Sequence, residues 1–116
     1  MADSAPVCDS VTTTGDLKRM VQEFVEERDW GKYHNAKDVA VAINVEAGEL
    51  LELFEWVREQ EIPALLHDVD KRRCVGEELA DIMILCLNLA SVVGLDVADT
   101  VARKMEKNRA KYPADL

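Results

Sequence analysis

The stretch that decides the fold lies between residues 71 and 94 and reads KRRCVGEELADIMILCLNLASVVG. Its apolar residues occupy most of a helical circumference, namely Ile82, Met83, Ile84, Leu85, Leu87, Leu89, Val92 and Val93. Gly94 ends helices well, because glycine adopts the left-handed backbone of a helix end without strain. The stretch therefore predicts a helix over residues 71–94. A helix that is apolar nearly all round must be covered on most of its sides.

Three further segments have the apolar spacing or the capping residues of helices, and they cover residues 14–28, 36–60 and 96–111. Their candidate N-caps are Thr14, Asn35 and Asp96, whose side chains can accept from free backbone N–H groups. Pro63 stops any continuation of the second helix, and Pro113 follows the last one. Residues 61–71 are predicted to form a mixed loop with room for one short turn.

Length and composition are those of one domain with its own core, since the chain has 116 residues and 48% of them are hydrophobic. No strand-like alternation and no internal repeat is visible. We therefore predict an all-α four-helix bundle over residues 14–116, preceded by a flexible N-terminal arm over residues 1–13. The apolar third helix predicts a homo-oligomer built on two-fold axes. The alternative is that the other helices and the loop cover it within one chain.

The formal charge of −9 disfavours a grip on nucleic acid polymers, which needs clustered Lys and Arg, and disfavours an anionic membrane surface. The three cysteines have no CxxC spacing, which argues against a disulfide framework and for a reducing, cytoplasmic compartment. The N-terminus lacks a basic segment followed by an apolar run, so we expect no secretory signal. An acidic protein can still bind a nucleotide if metal ions invert the local field.

Four acidic residues occupy positions where a helical bundle is usually apolar. Glu46 and Glu49 interrupt the second helix, and Glu78 and Asp81 interrupt the third. Each pair is spaced i, i+3, so its carboxylates share one helix face and lie about 4.5 Å apart along the axis. Buried carboxylates repel one another unless divalent cations lie between them. The four acids therefore predict a Mg²⁺ site, with Mn²⁺ as a substitute, because all the donors are hard oxygens.

A single pair of acids at this spacing is a weak signal, because the chain has other Glu-x-x-Glu pairs that indicate an ordinary solvated face. Gly48 and Gly76 strengthen the metal interpretation. Glycine inside a helix costs about 1 kcal/mol relative to alanine, and close approach of another helix or a ligand is a reason to keep it. Zinc would require His or Cys donors, and a di-iron bundle would require Glu-x-x-His, a spacing that neither His34 nor His67 has.

Two further sets of residues suggest a nucleotide. Lys104 and Asn108 are i, i+4 neighbours on the fourth helix, where a cation facing the carboxylates would hold a bridging phosphate. The alternative, about equally supported, is that Lys104 extends along a rim or pairs with a surface acid. Trp30, His34 and Trp56 have side chains that can sandwich a base or bond its edge. The alternative is ordinary packing of the tryptophans and an exposed loop histidine.

In chain order these residues resemble a known enzyme family. The motifs are ERDW (27–30), His34, EAGE (46–49), LFEW (53–56), EELAD (77–81) and KMEKNRAKYP (104–113). Each motif is unspecific alone, but the ordered set is similar to the MazG-like all-α nucleoside triphosphate pyrophosphohydrolases, and within them to the dCTP pyrophosphatase branch. The resemblance extends over residues 17–113, nearly the whole chain.

The resemblance implies a four-helix subunit in a homotetramer, a dimer of tight dimers with pockets between chains. It implies that Mg²⁺ is bound by Glu46, Glu49, Glu78 and Asp81. It implies substrate contacts by Trp30, His34, Trp56, Lys104 and Asn108. The implied reaction hydrolyses a (d)NTP, with dCTP or a modified dCTP as the expected substrate, to the monophosphate and pyrophosphate. Such a reaction would serve nucleotide-pool housecleaning, and Glu49 is a candidate to accept the proton of the attacking water.

Two departures from the vertebrate dCTP pyrophosphatases concern the ligand region. This chain has Val21 where a His is expected and Leu85 where a Tyr is expected. These departures leave the metal chemistry intact and leave the choice of base and sugar open. Two other functions also stay open. One is a non-catalytic acidic helical module that docks another protein through the third helix, and the other is a nucleotide-binding module without turnover.

Overall fold

The computed structural model describes residues 6–115, which form helices and connections without strands. The five α-helices are α1 (Thr14–Glu27), α2 (Ala36–Glu52), α3 (Ile62–His67), α4 (Val69–Val93) and α5 (Val97–Lys111). Short 3₁₀ turns, Gly31–Tyr33 and Glu59–Glu61, lie in the connections before α2 and α3. The all-α prediction is confirmed, and the four predicted helices correspond to α1, α2, α4 and α5. Residues 1–5 of the predicted arm lie outside the described part, while residues 8–12 form a hydrogen-bonded turn.

Each long helix begins at a polar side chain that accepts from its first turn, and these N-caps are Thr13, Asn35, Asp68 and Asp96. The predicted caps Asn35 and Asp96 are confirmed. For α1 the cap is Thr13 and not Thr14. The Thr13 hydroxyl accepts from the Asp16 N–H at 3.0 Å, and the Asp16 carboxylate accepts from the Thr13 N–H at 3.0 Å. This reciprocal capping box satisfies two free donors at once, which is why the helix begins there.

α2 is shorter than predicted, because it ends at Glu52 and not near residue 60. The next two backbone N–H groups donate to carbonyls three residues back, at 3.2 and 2.9 Å, which tightens and ends the helix. Arg58 then has an extended backbone, and its N–H donates to the Glu61 carboxylate at 3.2 Å. The prediction took Pro63 as the stop. Local hydrogen bonds, in a segment of bulky residues with low helix propensity, end the helix earlier.

α4 is the centre of the subunit, because α1, α2 and α3 all pack against it. α5 is bent away from α4 by 102° and packs on α1. The buried apolar residues are few, namely Val21, Val39, Leu87 and Ala90, and no large side chain of the described residues is fully buried. The radius of gyration is 17.3 Å, well above the about 13 Å expected of a compact domain of this length. The single chain is therefore open and has a thin core.

The side of α4 that faces away from the acidic residues is apolar and uncovered. Leu79, Met83 and Ile84 are 48%, 50% and 46% exposed. The alternative in which the other helices and the loop cover this helix is therefore wrong for the part of the chain that the structure describes. Exposed apolar patches of this kind mark contact sites for proteins or membranes, or ligand-binding grooves.

Among residues 6–115, no single helix has both the length and the apolar composition needed to cross a membrane. α4 and α5 pass that criterion only when they are taken together, and the 102° bend separates them.

The end of α4 is set by Gly94, as predicted. Its φ is +83°, and its N–H donates to the Ala90 carbonyl at 2.8 Å. A Cβ at this position would meet no atom within 4 Å, so alanine would strain only the backbone. We expect Gly94→Ala to lower the free energy of unfolding by about 1–2 kcal/mol, measured by urea denaturation.

Gly76→Ala is the matched control for this prediction. Gly76 lies inside α4, and a Cβ there would also meet open space. The free energy of unfolding should rise by up to about 1 kcal/mol, since alanine is the better helix former. Equal effects of the two substitutions would contradict the role given to the left-handed backbone of Gly94.

Candidate active site

The acidic side chains of α2 and α4 meet where these two helices pack together. One carboxylate oxygen each of Glu46, Glu49 and Glu78 lies within 4.8 Å of the others, and we call these three residues the carboxylate cluster. Glu46 and Glu78 are half-buried. Asp81, one turn farther along α4, is exposed and lies outside the cluster. The structure thus brings together three of the four predicted acids. The i, i+3 spacing places each pair on one helix face, and the packing of α2 against α4 decides which of them meet.

The electrostatics of the carboxylate cluster are those of crowded anions. Hydrogen bonding with the Glu49 carboxyl raises the pKa of Glu46 most, and partial burial and the charges of Glu49, Asp81 and Glu78 add to it, bringing the pKa to about 7. Partial burial, followed by the charges of Glu49 and Asp81, raises the pKa of Glu78. Asp81 therefore acts on both residues from outside the cluster. Carboxylates this close need a proton or a cation among them.

Two oxygens of the carboxylate cluster have no partner in the described structure. The Oε2 atoms of Glu46 and Glu78 are shut off from solvent and accept no hydrogen bond from residues 6–115. None of the described Lys or Arg side chains forms an ion pair with the cluster. A buried carboxylate oxygen without a partner is costly. Three hard oxygens at this separation, with no thiol or imidazole among them, fit Mg²⁺ or Mn²⁺.

Beyond the carboxylate cluster the contact between α2 and α4 opens into a cleft of about 230 Å³. The cleft is lined by Glu52, Leu53, Leu65, Lys71, Cys74 and Val75. Glu52 follows Glu49 by one helical turn, and Val75 precedes Glu78 by one turn, so the cleft adjoins the cluster. The cleft is therefore an open volume about one helical turn from the carboxylates, none of which is among its lining residues.

Close packing inside the subunit does not explain Gly48 and Gly76. A Cβ built at either position meets no atom within 4 Å. The interpretation that another helix approaches these glycines is therefore wrong within the described chain. Approach by a ligand or by a second copy stays a prediction.

Trp30 is fixed by the way in which α1 ends. The Asp29 N–H donates to the Glu26 carbonyl at 3.0 Å. The Trp30 N–H donates to the Val25 carbonyl, also at 3.0 Å. With Asp29 in the left-handed conformation (φ 53°), these bonds form a Schellman motif. The Trp30 ring meets Phe24 edge-on at a centroid distance of 5.6 Å and stays 44% exposed, so part of the ring is free for a ligand.

His34 is tied to α4 by Asn88, a residue that sequence reasoning missed. His34 Nδ1 and Asn88 Nδ2 are 3.0 Å apart. Asn88 is 6% exposed and is the one buried polar residue in the described part of the chain. The sequence did contain a signal for Asn88, because its amide lies inside the apolar run of residues 82–93, where an unpaired polar group would be costly.

The remaining predicted substrate residues lie apart from the carboxylate cluster in one chain. Trp56 follows the end of α2 and is 88% exposed. Lys104 is exposed and Asn108 is half-buried on α5, which packs on α1 and makes no comparable contact with α2 or α4. One chain by itself therefore does not bring Lys104 or Asn108 to the carboxylates, and their roles stay predictions.

The chain is similar to known proteins over most of its length. The model of the MazG-like family matches residues 41–116, which include all four acids. The chain belongs to the MazG-like family. A solved pyrophosphatase from Archaeoglobus fulgidus DSM 4304 is similar in fold, with a TM-score of 0.81 and 37% sequence identity. The match covers 94% of this chain and 100% of that one.

Two curated relatives of this MazG-like chain are similar over most of its length. The dCTP pyrophosphatase 1 of Bos taurus is 36% identical over 107 residues, which are 92% of this chain and 63% of that protein. The dCTP pyrophosphatase 1 of Homo sapiens is 36% identical over 104 residues, which are 90% of this chain and 61% of that protein. The chain thus spans somewhat less than two thirds of the length of these relatives.

Proposed function

We propose that the chain is a Mg²⁺-dependent nucleoside triphosphate pyrophosphohydrolase, which converts a (d)NTP and water to the monophosphate and pyrophosphate. The observation that carries this proposal is the carboxylate cluster, in which two buried oxygens have no partner beside an open cleft. A module that only docks a protein through α4 has no use for uncompensated carboxylates on the opposite side of that helix.

The proposed substrate is dCTP or a modified dCTP, and the proposed role is housecleaning of the nucleotide pool in the cytoplasm. The substrate class is supported by the two relatives named as dCTP pyrophosphatases and by the accessible indole of Trp30. A flat ring is the usual platform for a nucleobase.

In the proposed mechanism, Glu46, Glu49, Glu78 and Asp81 hold the metal. Bound Mg²⁺ would neutralise phosphate oxygens and make a coordinated water more acidic. Glu49 accepts the proton of the water as it attacks the α-phosphorus. The bond between that phosphorus and the oxygen bridging to the β-phosphate breaks, and pyrophosphate leaves. A carboxylate oxygen of Glu49 lies within 4.8 Å of one of Glu46, which supports a common site for the two residues.

The nucleoside would be held by Trp30 and His34 of one chain and by Trp56 of another, since α2 separates His34 from Trp56 within a chain, so that the phosphorus meets the water in line. Lys104 and Asn108 would contact the nucleotide from another subunit of a homotetramer arranged as a dimer of dimers. The open subunit supports this assembly, because apolar side chains of α4 are uncovered and α5 lies apart from the carboxylate cluster.

The assembly is tested by Met83→Glu. Met83 is 50% exposed on the apolar side of α4, and a charge buried in an interface is strongly unfavourable. We expect the variant to dissociate, measured by sedimentation velocity. Val69→Glu is the control, because Val69 is 78% exposed at the start of α4 and an acid is favourable there. If Met83→Glu and Val69→Glu both keep the oligomeric state of the unmodified chain, the proposed interface on the apolar side of α4 is refuted.

The activity is tested with a panel of canonical and modified (d)NTPs in the presence of Mg²⁺, with released pyrophosphate as the signal. We expect monophosphate and pyrophosphate in equal amounts, with dCTP or a modified dCTP turned over best, and no turnover in EDTA. Release of inorganic phosphate instead would place the attack at the γ-phosphorus and refute the proposal. Nucleotide binding without any product would favour the alternative of a nucleotide-binding module.

A further inference from the structure

We propose that Asn88 is a positioning residue that fixes His34 as a hydrogen-bond donor toward the nucleoside part of the substrate. The identity of that substrate rests on the proposed function. The positioning itself rests on the contact between the two side chains, which exists without any ligand.

The contact between Asn88 and His34 stands alone in this subunit. In residues 6–115, every other hydrogen bond between two side chains joins residues at most four positions apart. Asn88 and His34 are 54 positions apart and connect α4 with the loop before α2. Asn88 is also the one buried polar residue among those described. Burying an amide in an apolar helix is costly unless the amide forms a hydrogen bond. The hydrogen bond with His34 is therefore a specific feature of this fold and not an incidental contact.

The orientation of the Asn88 amide relates to where the proton of His34 lies. The amide nitrogen Nδ2, which only donates hydrogen bonds, faces His34 Nδ1 at 3.0 Å, and in this orientation Nδ1 accepts. A neutral imidazole that accepts at Nδ1 carries its proton on Nε2. His34 therefore presents an N–H to its surroundings and no acceptor. His34 as a whole is half-buried and not closed off from solvent.

The position of Asn88 relates His34 to the carboxylate cluster. Asn88 follows Asp81 by seven residues, which is two turns of α4, so the two residues lie on nearly the same face. The rise between them is about 10 Å. A nucleotide whose phosphates meet the acids, and whose nucleoside extends along α4 away from the cleft, would bring its sugar or base toward His34. An N–H there suits an acceptor of the nucleoside, such as a pyrimidine carbonyl or a sugar oxygen.

The proton assignment is tested by ¹⁵N NMR of the histidine side chains at pH 8, in the protein without nucleotide. The chain has two histidines, and His67→Gln identifies the signals of His34. We expect the Nε2–H tautomer in the unmodified chain. In Asn88→Asp the new carboxylate accepts from the ring, so the proton should move to Nδ1. In Asn88→Leu, which keeps the volume and removes the donor, we expect both tautomers. An Nδ1–H tautomer in the unmodified chain, or no change in Asn88→Asp, would overturn the assignment.

The role in binding is tested by turnover of dCTP with Mg²⁺. We expect KM to rise about tenfold in Asn88→Asp and Asn88→Leu with kcat nearly unchanged, because the lost bond holds ground state and transition state alike. Mg²⁺-dependent thermal stabilisation should stay as in the unmodified chain. A kcat that falls with an unchanged KM, or an unchanged KM in both variants, would overturn the role of Asn88 in substrate binding. Failure of the unmodified chain to release pyrophosphate would refute the proposed function, while the NMR result would still decide whether Asn88 fixes the proton of His34.

Discussion

Glu49→Gln should leave a folded protein that has lost pyrophosphate release by at least about 100-fold in kcat. Glu49 is the member of the carboxylate cluster whose hydrogen bonding and charge raise the pKa of both neighbours, Glu46 and Glu78. Glutamine keeps the shape of the side chain and cannot accept the proton of a water or provide an anionic ligand. The measurement is steady-state release of pyrophosphate with saturating Mg²⁺, and circular dichroism confirms that the helices persist.

The matched control for this prediction is Glu23→Gln. Glu23 belongs to another Glu-x-x-Glu pair, with Glu26, on the exposed side of α1. The same chemical change there should leave kcat and KM as they are. If Glu49→Gln also retained ordinary turnover, the proposed active site would be in the wrong place.

Glu46→Gln should change the pH dependence of stability in the absence of metal. The pKa of Glu46 is raised in the folded chain from its ordinary value of 4.5 to about 7. Between pH 4.5 and about 7 the folded state holds a proton on Glu46 that the unfolded state has released. The contribution of Glu46 to the free energy of unfolding is therefore largest below pH 4.5 and is lost as the pH rises to about 7. Glutamine does not titrate, so this loss of stability disappears in the variant.

The measurement is thermal unfolding in EDTA from pH 4.5 to 8, compared between the unmodified chain, Glu46→Gln and Glu23→Gln. We expect the melting temperature of Glu46→Gln to fall less than that of the other two. At pH 8, added Mg²⁺ should stabilise the unmodified chain and Glu23→Gln but not Glu46→Gln, because a ligand of the folded state raises its stability by mass action. If the melting temperatures of all three proteins in EDTA change in parallel with pH, the crowding of anions inferred for the carboxylate cluster is contradicted.

The caps of α2 and α5, the end of α4 and the face shared by each pair of acids follow from local rules, which is why the sequence predicts them. Asn35, Asp96 and Gly94 act through hydrogen bonds and backbone angles within their own turns. The i, i+3 spacing similarly turns Glu46 and Glu49 to one face whatever the fold. These features need no knowledge of the neighbouring helices.

The features that the sequence did not predict depend on competition between local hydrogen bonds or on contacts between residues far apart in the chain. α2 ends at Glu52 because hydrogen bonds to carbonyls three residues back and a cap on the next turn replace helical ones, and no single residue type announces that. Asn88 finds its partner 54 residues away. The direction of α5, bent by 102° from α4, decides whether Lys104 can reach the acids of its own chain. Periodicity along one helix contains no information about such angles between helices.

The central claim, that the carboxylate cluster holds divalent cations against a triphosphate, is tested most directly by a crystal of the full chain grown with Mn²⁺ and a non-hydrolysable dCTP analogue. The expected result is anomalous density roughly 2.2 Å from carboxylate oxygens of Glu46, Glu49 and Glu78, with phosphate oxygens on the same ions. Density for the analogue with these side chains turned into solvent and no ion among them would contradict the claim.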